Sequence, residues 1–306
     1  MARHWIRTIA LTSAVALLVA SANAGAAMLQ KTYGSPDEAA KALVAAARAD
    51  DAKAMLAILG AEAKKLLFSG DAVADHAARE KFVKAYDEAN KLEMAGDAKA
   101  ILAVGKDAWP LPIPVVKVGD AWRFDAKQGA EEILNRRIGR NELSAIQAVE
   151  AYVDAQREYY LLNPTQDKLL QYAQRFVSSK GKKDGLYYPT AKGETPSPLG
   201  QLFESATAAG YKPGSGKPSP YYGYRYRILK AQGPDAPGGA YDYVVRGKMI
   251  GGFALIAYPA SYGSSGIKTF IVNHDGIVYE KDLGPDTATA AQKIRKFNPD
   301  GTWKRP

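Results

Sequence analysis

The sequence predicts an α+β fold. Apolar residues recur at helical spacing over 36–92 and again over 129–162, and short strand-like runs dominate the last third. The two kinds of segment are grouped, not alternated strand by helix along the chain. The expected architecture is N-terminal helices with a small antiparallel sheet, a long connecting helix, and a C-terminal antiparallel sheet with flanking helices. Its expected units are 25–139, an α+β domain, and 140–306, a helix plus antiparallel sheet.

Residues 1–24 read as an export signal. Arg3 and Arg7 give a positive start, 9–20 an apolar core, and Ala22-Asn23-Ala24 a small-x-small cleavage site. The core falls well short of the roughly 20 residues that cross a bilayer. No Cys follows it, which excludes attachment of lipid to a cysteine. Cleavage near Ala24 would leave a periplasmic or secreted chain with 39 basic against 32 acidic side chains, net +7. No later segment of that mature chain reads as a transmembrane span.

Ser35-Pro36-Asp37-Glu38 combines an N-cap serine, a first-turn proline and a capping-box glutamate. The helix it opens carries Ala40, Leu43, Val44 and Ala47 on one face. A short helix over 53–59 ends at Gly60, and Gly70 closes another. A longer helix is expected over 72–92, with Ala78, Phe82, Val83, Tyr86 and Ala89 as its stripe. Then the period changes, and 98–104 and 121–125 read as strands, the second after the Gly119-Asp120 turn. Between them Pro110, Pro112 and Pro114 strip donors from one side of an extended chain. That pattern predicts the outer edge of the small sheet, with a polyproline stretch as the alternative.

The connecting helix, 129–162, is expected to bury Leu143, Ile146, Val149, Val153 and Tyr160. Asn163-Pro164 ends it and caps a further helix with the stripe Leu169, Leu170, Ala173, Phe176 and Val177. The stretch 178–220 is rich in Lys, Gly, Pro and Ser and reads as irregular, apart from a short helix near 199–209. Strands follow at 222–229, 240–245 and 253–258; the last is apolar on both alternations and needs cover on both faces. Asp275-Gly276 joins 267–273 to 277–281 as a hairpin, and 286–297 reads as a terminal amphipathic helix.

Composition narrows the chemistry. Cys is absent and there are three His, of which His4 lies inside the export signal. Disulfide scaffolds, Cys-ligated metals and thiol catalysis are excluded, and His76 and His274 are the two imidazoles left for general acid–base work. Asp71, Asp75 and His76 could share a helix as ligands, yet nothing nearby completes a site, so no metal and no cofactor are expected. The basic excess is interleaved with acids instead of gathered into a stripe, which argues against nucleic acid. Lys180, Lys182 and Lys183 read as a solvated loop. Arg136, Arg137 and Arg140 follow Glu131 and Glu132 at helical spacing and read as a salt-bridged face.

Three constellations remain. Gly214-Ser215-Gly216-Lys217 lacks the first glycine and the hydroxyl residue of a phosphate loop. Ser264 or Ser265 with His274 and Asp282 would supply nucleophile, base and orienting acid, but Gly263-Ser264-Ser265-Gly266 is not a nucleophile elbow. No catalytic residue is assigned. Tyr222, Tyr224 and Tyr226 alternate along one strand, with Tyr221 facing the other way. Such a face either stacks on a glycan or peptide or packs in the core.

The stretches APGGAYDYVVRGKMIGGFALIAYPASYGSSGIKTFIVNHDGIVYEKDLGPDT (236–287) and RRIGRNELSAIQAVEAYVDAQREYY (136–160) resemble the bacterial domain-of-unknown-function family 2950. The resemblance covers nearly all of the mature chain. It implies a secreted, envelope-facing protein, with no assigned reaction and no catalytic residues to carry over. More loosely, 141–160 with the β-rich end is similar to globular type IV pilin subunits. The helix departs from that pattern: it is internal and carries Glu142, Glu150, Asp154, Arg157 and Glu158, so it could not line a filament core. Any such relation is one of fold, not of role. The expected function is a non-catalytic binding or scaffold protein of the cell envelope, its partner an envelope protein or glycan. The alternatives are a hydrolase of envelope polymers and an accessory of pilus or secretion machinery.

Overall fold

Helix α1 (Pro36–Arg48) starts where its capping chemistry places it. Ser35 Oγ accepts the Glu38 N–H at 3.1 Å, and the Glu38 carboxylate accepts the Gly34 N–H at 2.9 Å, one residue ahead of the usual capping-box donor. The computed structural model describes residues 29–212 and 219–306; the expected export signal and Gly214-Ser215-Gly216-Lys217 lie outside them. Asp51 caps α2 (Ala52–Leu59), Gly60 ends it at φ 90°, and α3 (Lys64–Leu67) follows one 3₁₀ turn later. Asp71 caps α4 (Ala72–Glu88).

Helix α4 stops before its apolar period does. Residues Asn90–Met94 leave as strand β1 and pair antiparallel with β2 (Lys99–Val104), so the sheet claims Leu92, which faces Leu102. Strands β3 (Trp109–Pro110), β4 (Val115–Val118) and β5 (Ala121–Phe124) complete a sheet ordered β1-β2-β4-β5, with β3 also on β2. The proline run forms an outer edge only at β3. Beyond it, Pro114 O accepts from the Asp125 N–H at 2.9 Å, and Pro112 lies under Gly129. Leu43, Ile58, Val115 and Phe124 are buried between this sheet and the helices.

Helix α5 (Ala130–Leu162) has 33 residues, about 50 Å at 1.5 Å per residue. Ala130, Ile133 and Leu134 pack on the first core, whereas Ala145, Val149, Tyr152 and Tyr159 belong to a second. The boundary expected at 139/140 therefore falls inside one continuous helix. The buried face is also rotated from the expected stripe. Leu143 is 65% exposed, and Tyr159 is buried where Tyr160 was expected.

No helix forms over 165–177. Asn163 closes α5 in the left-handed region, and the following segment runs irregularly over the second core. Its backbone is claimed by tertiary partners: Tyr172 N–H donates to Met249 O at 2.8 Å. The fully buried Gln156 amide accepts from Ala173 N–H and donates to Ala173 O, both at 2.8 Å. These bonds replace the helical ones that the spacing of Leu169 to Val177 suggested.

Helix α6 (Gly200–Ala208) precedes β6 (Tyr224–Leu229), β7 (Ala231–Gln232), β8 (Tyr241–Asp242), β9 (Val244–Val245) and β10 (Lys248–Met249). The single strand expected at 240–245 is divided: β8 pairs with β7, and β9 with β10. Strands β11 (Ala254–Pro259), β12 (Lys268–Asn273) and β13 (Tyr279–Asp282) join β6 in a sheet ordered β13-β12-β11-β6. Helix α7 (Thr287–Lys293) ends early, and Phe297 continues extended and fully buried. Helix α5 covers one face of the sheet and α7 the other, which explains the doubly apolar β11. The fold is thus α+β. No helix among the described residues is long and apolar enough to cross a membrane.

Candidate functional site

Strand β6 lies at an edge of the C-terminal sheet, and beside it opens a groove of about 660 Å³. Its walls include Ala148 and Tyr152 of α5, Leu202 and Phe203 of α6, and Tyr226 with Leu255 from the sheet. Helix α6 is held in place by aromatic stacking, with Phe203 on Tyr187 at 4.4 Å between centroids and 12° between planes. The sheet register puts Tyr224, Tyr226 and Ile228 on one face with Leu255, Ala257 and Phe270.

Aromatic hydroxyls, with Arg225 and Arg227, supply the polarity. The Tyr226 hydroxyl is buried and has no hydrogen-bond partner among the described residues. Burial pushes its pKa well up, with Tyr221, Tyr211 and the Asp71 carboxylate adding to the shift. Tyr221 is pushed up to about 12, chiefly by burial, and Tyr211 further up, by burial and then by the charge of Asp71. These phenols stay neutral at physiological pH, so they can donate or accept a hydrogen bond but cannot serve as anionic bases or nucleophiles. Among the described residues that line the groove there is no carboxylate and no histidine.

The three tyrosines picked from the sequence occupy three environments. Tyr222 precedes the strand at φ 47°, is 39% exposed, and meets Tyr221 at 4.6 Å between ring centroids. Tyr224 is fully buried: its ring packs near Phe270 at 5.8 Å, and its hydroxyl donates to Lys268 O at 2.9 Å. Tyr226 alone of the three lines the groove. Sequence reasoning missed Tyr152, Phe203 and Tyr211 and turned Tyr221 away from Tyr226; all four reach the same space as Tyr226, from α5, α6 and the loop before β6. Only 219–222, Ser-Pro-Tyr-Tyr, carried a signal, in its proline and paired tyrosines.

The other constellations separate. Ser264 and Ser265 precede β12 and His274 follows it, so the six residues of β12 hold them about 20 Å apart along the strand. Ser264 Oγ donates to Lys65 O at 2.8 Å, Ser265 Oγ to Ser261 O at 3.1 Å, and Asp282 accepts from Tyr262 at 3.2 Å. These contacts hold loops together. His274 packs beside Gly252 and Tyr243, with Nε2 3.4 Å from the Tyr241 hydroxyl. His76 sits on α4 between Asp50 (3.0 Å) and Glu80 (3.3 Å), half-exposed, in a surface cleft where Arg79 also pairs with Asp50. Such solvated ion pairs contribute little. Asp71 and Asp75 both serve backbone N–H groups, of Ala74 and Ser69. Among the described residues no three His, Asp or Glu side chains gather as metal ligands. Arg136 pairs with Glu132, but Arg137 leaves the expected charged face and donates to Lys65 O and Leu66 O.

Residues 30–305 match the protein family of unknown function DUF2950. The chain belongs to this family. The match spans both cores, the shared helix α5 and the groove, so these features lie within the DUF2950 region. Comparison with curated proteins and with solved structures finds no significant match.

Proposed function

We propose that this DUF2950 protein is an exported, non-catalytic binding protein of the cell envelope, and that the groove beside β6 is its binding site. The groove carries the reading: it is large enough for a ligand group, walled mainly by apolar and aromatic side chains with Arg225 and Arg227 beside them, and holds one buried hydroxyl with no partner among the described residues. Export to the periplasm or beyond is supported by the tripartite segment 1–24, cleaved near Ala24. The ligand is an envelope protein or glycan group that offers an apolar surface and a hydrogen-bonding atom. Of the tyrosines first singled out, Tyr226 makes direct contact, Tyr222 packs against the lining residue Tyr221, and Tyr224 holds the sheet.

Binding of 1-anilinonaphthalene-8-sulfonate to the purified mature protein tests the site. Its fluorescence should rise on binding and fall at least fivefold in Leu202→Asp and Tyr226→Ala, while His76→Ala and His274→Ala leave it unchanged. Circular dichroism controls for folding. Turnover of an envelope polymer that disappears in His274→Ala would replace this reading with the hydrolase. N-terminal sequencing from a periplasmic fraction should begin at or near Gly25; intact Met1 in a membrane pellet would overturn export.

A further inference from the structure

The two edges of the C-terminal sheet are finished differently. Along β13 the outer edge is occupied, since Glu280 N–H donates to Lys304 O at 2.7 Å and Lys304 N–H returns a bond to Glu280 O at 3.0 Å. Along β6 the outer edge is occupied only at its ends. Tyr224 exchanges both main-chain bonds with Tyr221, and Lys230 O accepts from Tyr243 N–H at 2.9 Å. Gly223 O points the other way, to Ala260 N–H of the β11 side. Strand alternation then turns the N–H and C=O of Tyr226 and Ile228 outward, as for Tyr224. Among the described residues those four groups have no partner. Strand β6 also contains neither the lysine nor the proline that commonly guards an open edge.

The open stretch borders the aromatic groove at Tyr226. We infer that the groove receives an extended polypeptide segment, which adds to β6 as a further strand. Its main chain bonds to Tyr226 and Ile228, and an apolar side chain enters between Tyr226 and Phe203. The occupant follows from the chemistry of the edge. Paired donors and acceptors repeat every second residue, about 6.8 Å apart, and another peptide main chain matches that repeat. An acyl chain or glycan would fill the apolar space and leave the groups of Ile228 unmet. The orphan Tyr226 hydroxyl adds a polar contact at the inner end.

This inference rests on the groove being a binding site, and the test separates the two. A random heptapeptide library on phage is selected against the immobilised mature protein, and the enriched peptide is synthesised. Its binding should slow hydrogen exchange at the Tyr226 and Ile228 amides at least tenfold. N-methylation at alternate peptide residues should weaken binding at least tenfold in one register and less than twofold in the other. Because these changes are made in the peptide, the protein fold is untouched. Equal effects in both registers, or unchanged exchange at Tyr226 and Ile228, overturn strand addition. Failure to enrich any peptide, while the naphthalene probe still binds through Leu202 and Tyr226, also overturns it and leaves the groove standing. Loss of both signals removes the groove as well.

Discussion

Asp71 accepts a hydrogen bond from the Tyr211 hydroxyl at 2.9 Å, across 140 residues of sequence. The same oxygen accepts the Gly223 N–H at 2.8 Å, and the other carboxylate oxygen caps α4 through the Ala74 N–H. One buried carboxylate, 1% exposed, therefore starts a helix of the first core and fixes the loop that leads into the groove. Tyr211 in turn accepts from Tyr222 N–H at 3.1 Å.

Asp71→Ala should remove a cap and strand two buried donors, at a cost of about 3–5 kcal/mol in urea unfolding. Tyr211→Phe should cost about 1–2 kcal/mol and loosen exchange at Tyr222 and Gly223. Equal stability of Asp71→Ala and the parent would show that the bonds carry nothing.

Gln156→Leu keeps the volume of a fully buried side chain but leaves Ala173 N–H and O without partners. The expected loss is about 2–4 kcal/mol, with hydrogen exchange faster at Tyr172 to Gln174 than elsewhere. Uniform change across the chain would place the effect in α5 instead.

Gly129 sits at φ 82°, and a Cβ there would lie 2.1 Å from Pro112 O. Gly129→Ala should cost at least about 3 kcal/mol. Gly96, at φ 78° with nothing within 4 Å, should cost only about 1 kcal/mol when changed to Ala. Thermal melts of the two variants would separate contact from backbone strain.

Acid should loosen the irregular 163–185 segment first. The Lys248 ammonium, then Thr165 and Gln171, hold the Asp167 carboxyl below its usual range. For Asp184, burial acts upward but is outweighed by the Ser179 N–H and hydroxyl and by Arg175. Both groups bind a proton less readily folded than unfolded. Their stabilisation is therefore present above the ordinary carboxylate value, about pH 4, and fades as pH falls through the lower folded values. Pepsin should cut this segment before the rest of the chain at pH 2–3, and Asp167→Asn should flatten that pH dependence. Cleavage that begins in the N-terminal helices would contradict it.

Where structure followed local chemistry, it was legible in the sequence. Ser35, Pro36 and Glu38 announce α1 because caps act within four residues, and Asp275-Gly276 announces the β12–β13 hairpin for the same reason. The missing helix over 165–177 shows the opposite case: its spacing suited a helix, but Gln156 and Met249 compete for the backbone from afar. The tyrosines show a third. Alternation places Tyr224 and Tyr226 on one face, but whether that face meets core or groove depends on where α5 and α6 lie. The groove itself was not legible, because its walls come from segments that only the fold brings together.

The sharing of α5 between two cores sets a phase relation between them. One residue inserted near Gly139 would turn everything beyond it by about 100° and advance it by about 1.5 Å. Contacts that cross between the cores would lose step: Ser264 with Lys65, and Gly223 with Asp71. Seven residues would restore the rotation to within about 20° while moving the cores about 10 Å apart, too far for Asp71 to meet Tyr211. Helix α5 therefore acts as a ruler as well as a support, and its length between the cores admits no drift in either angle or distance.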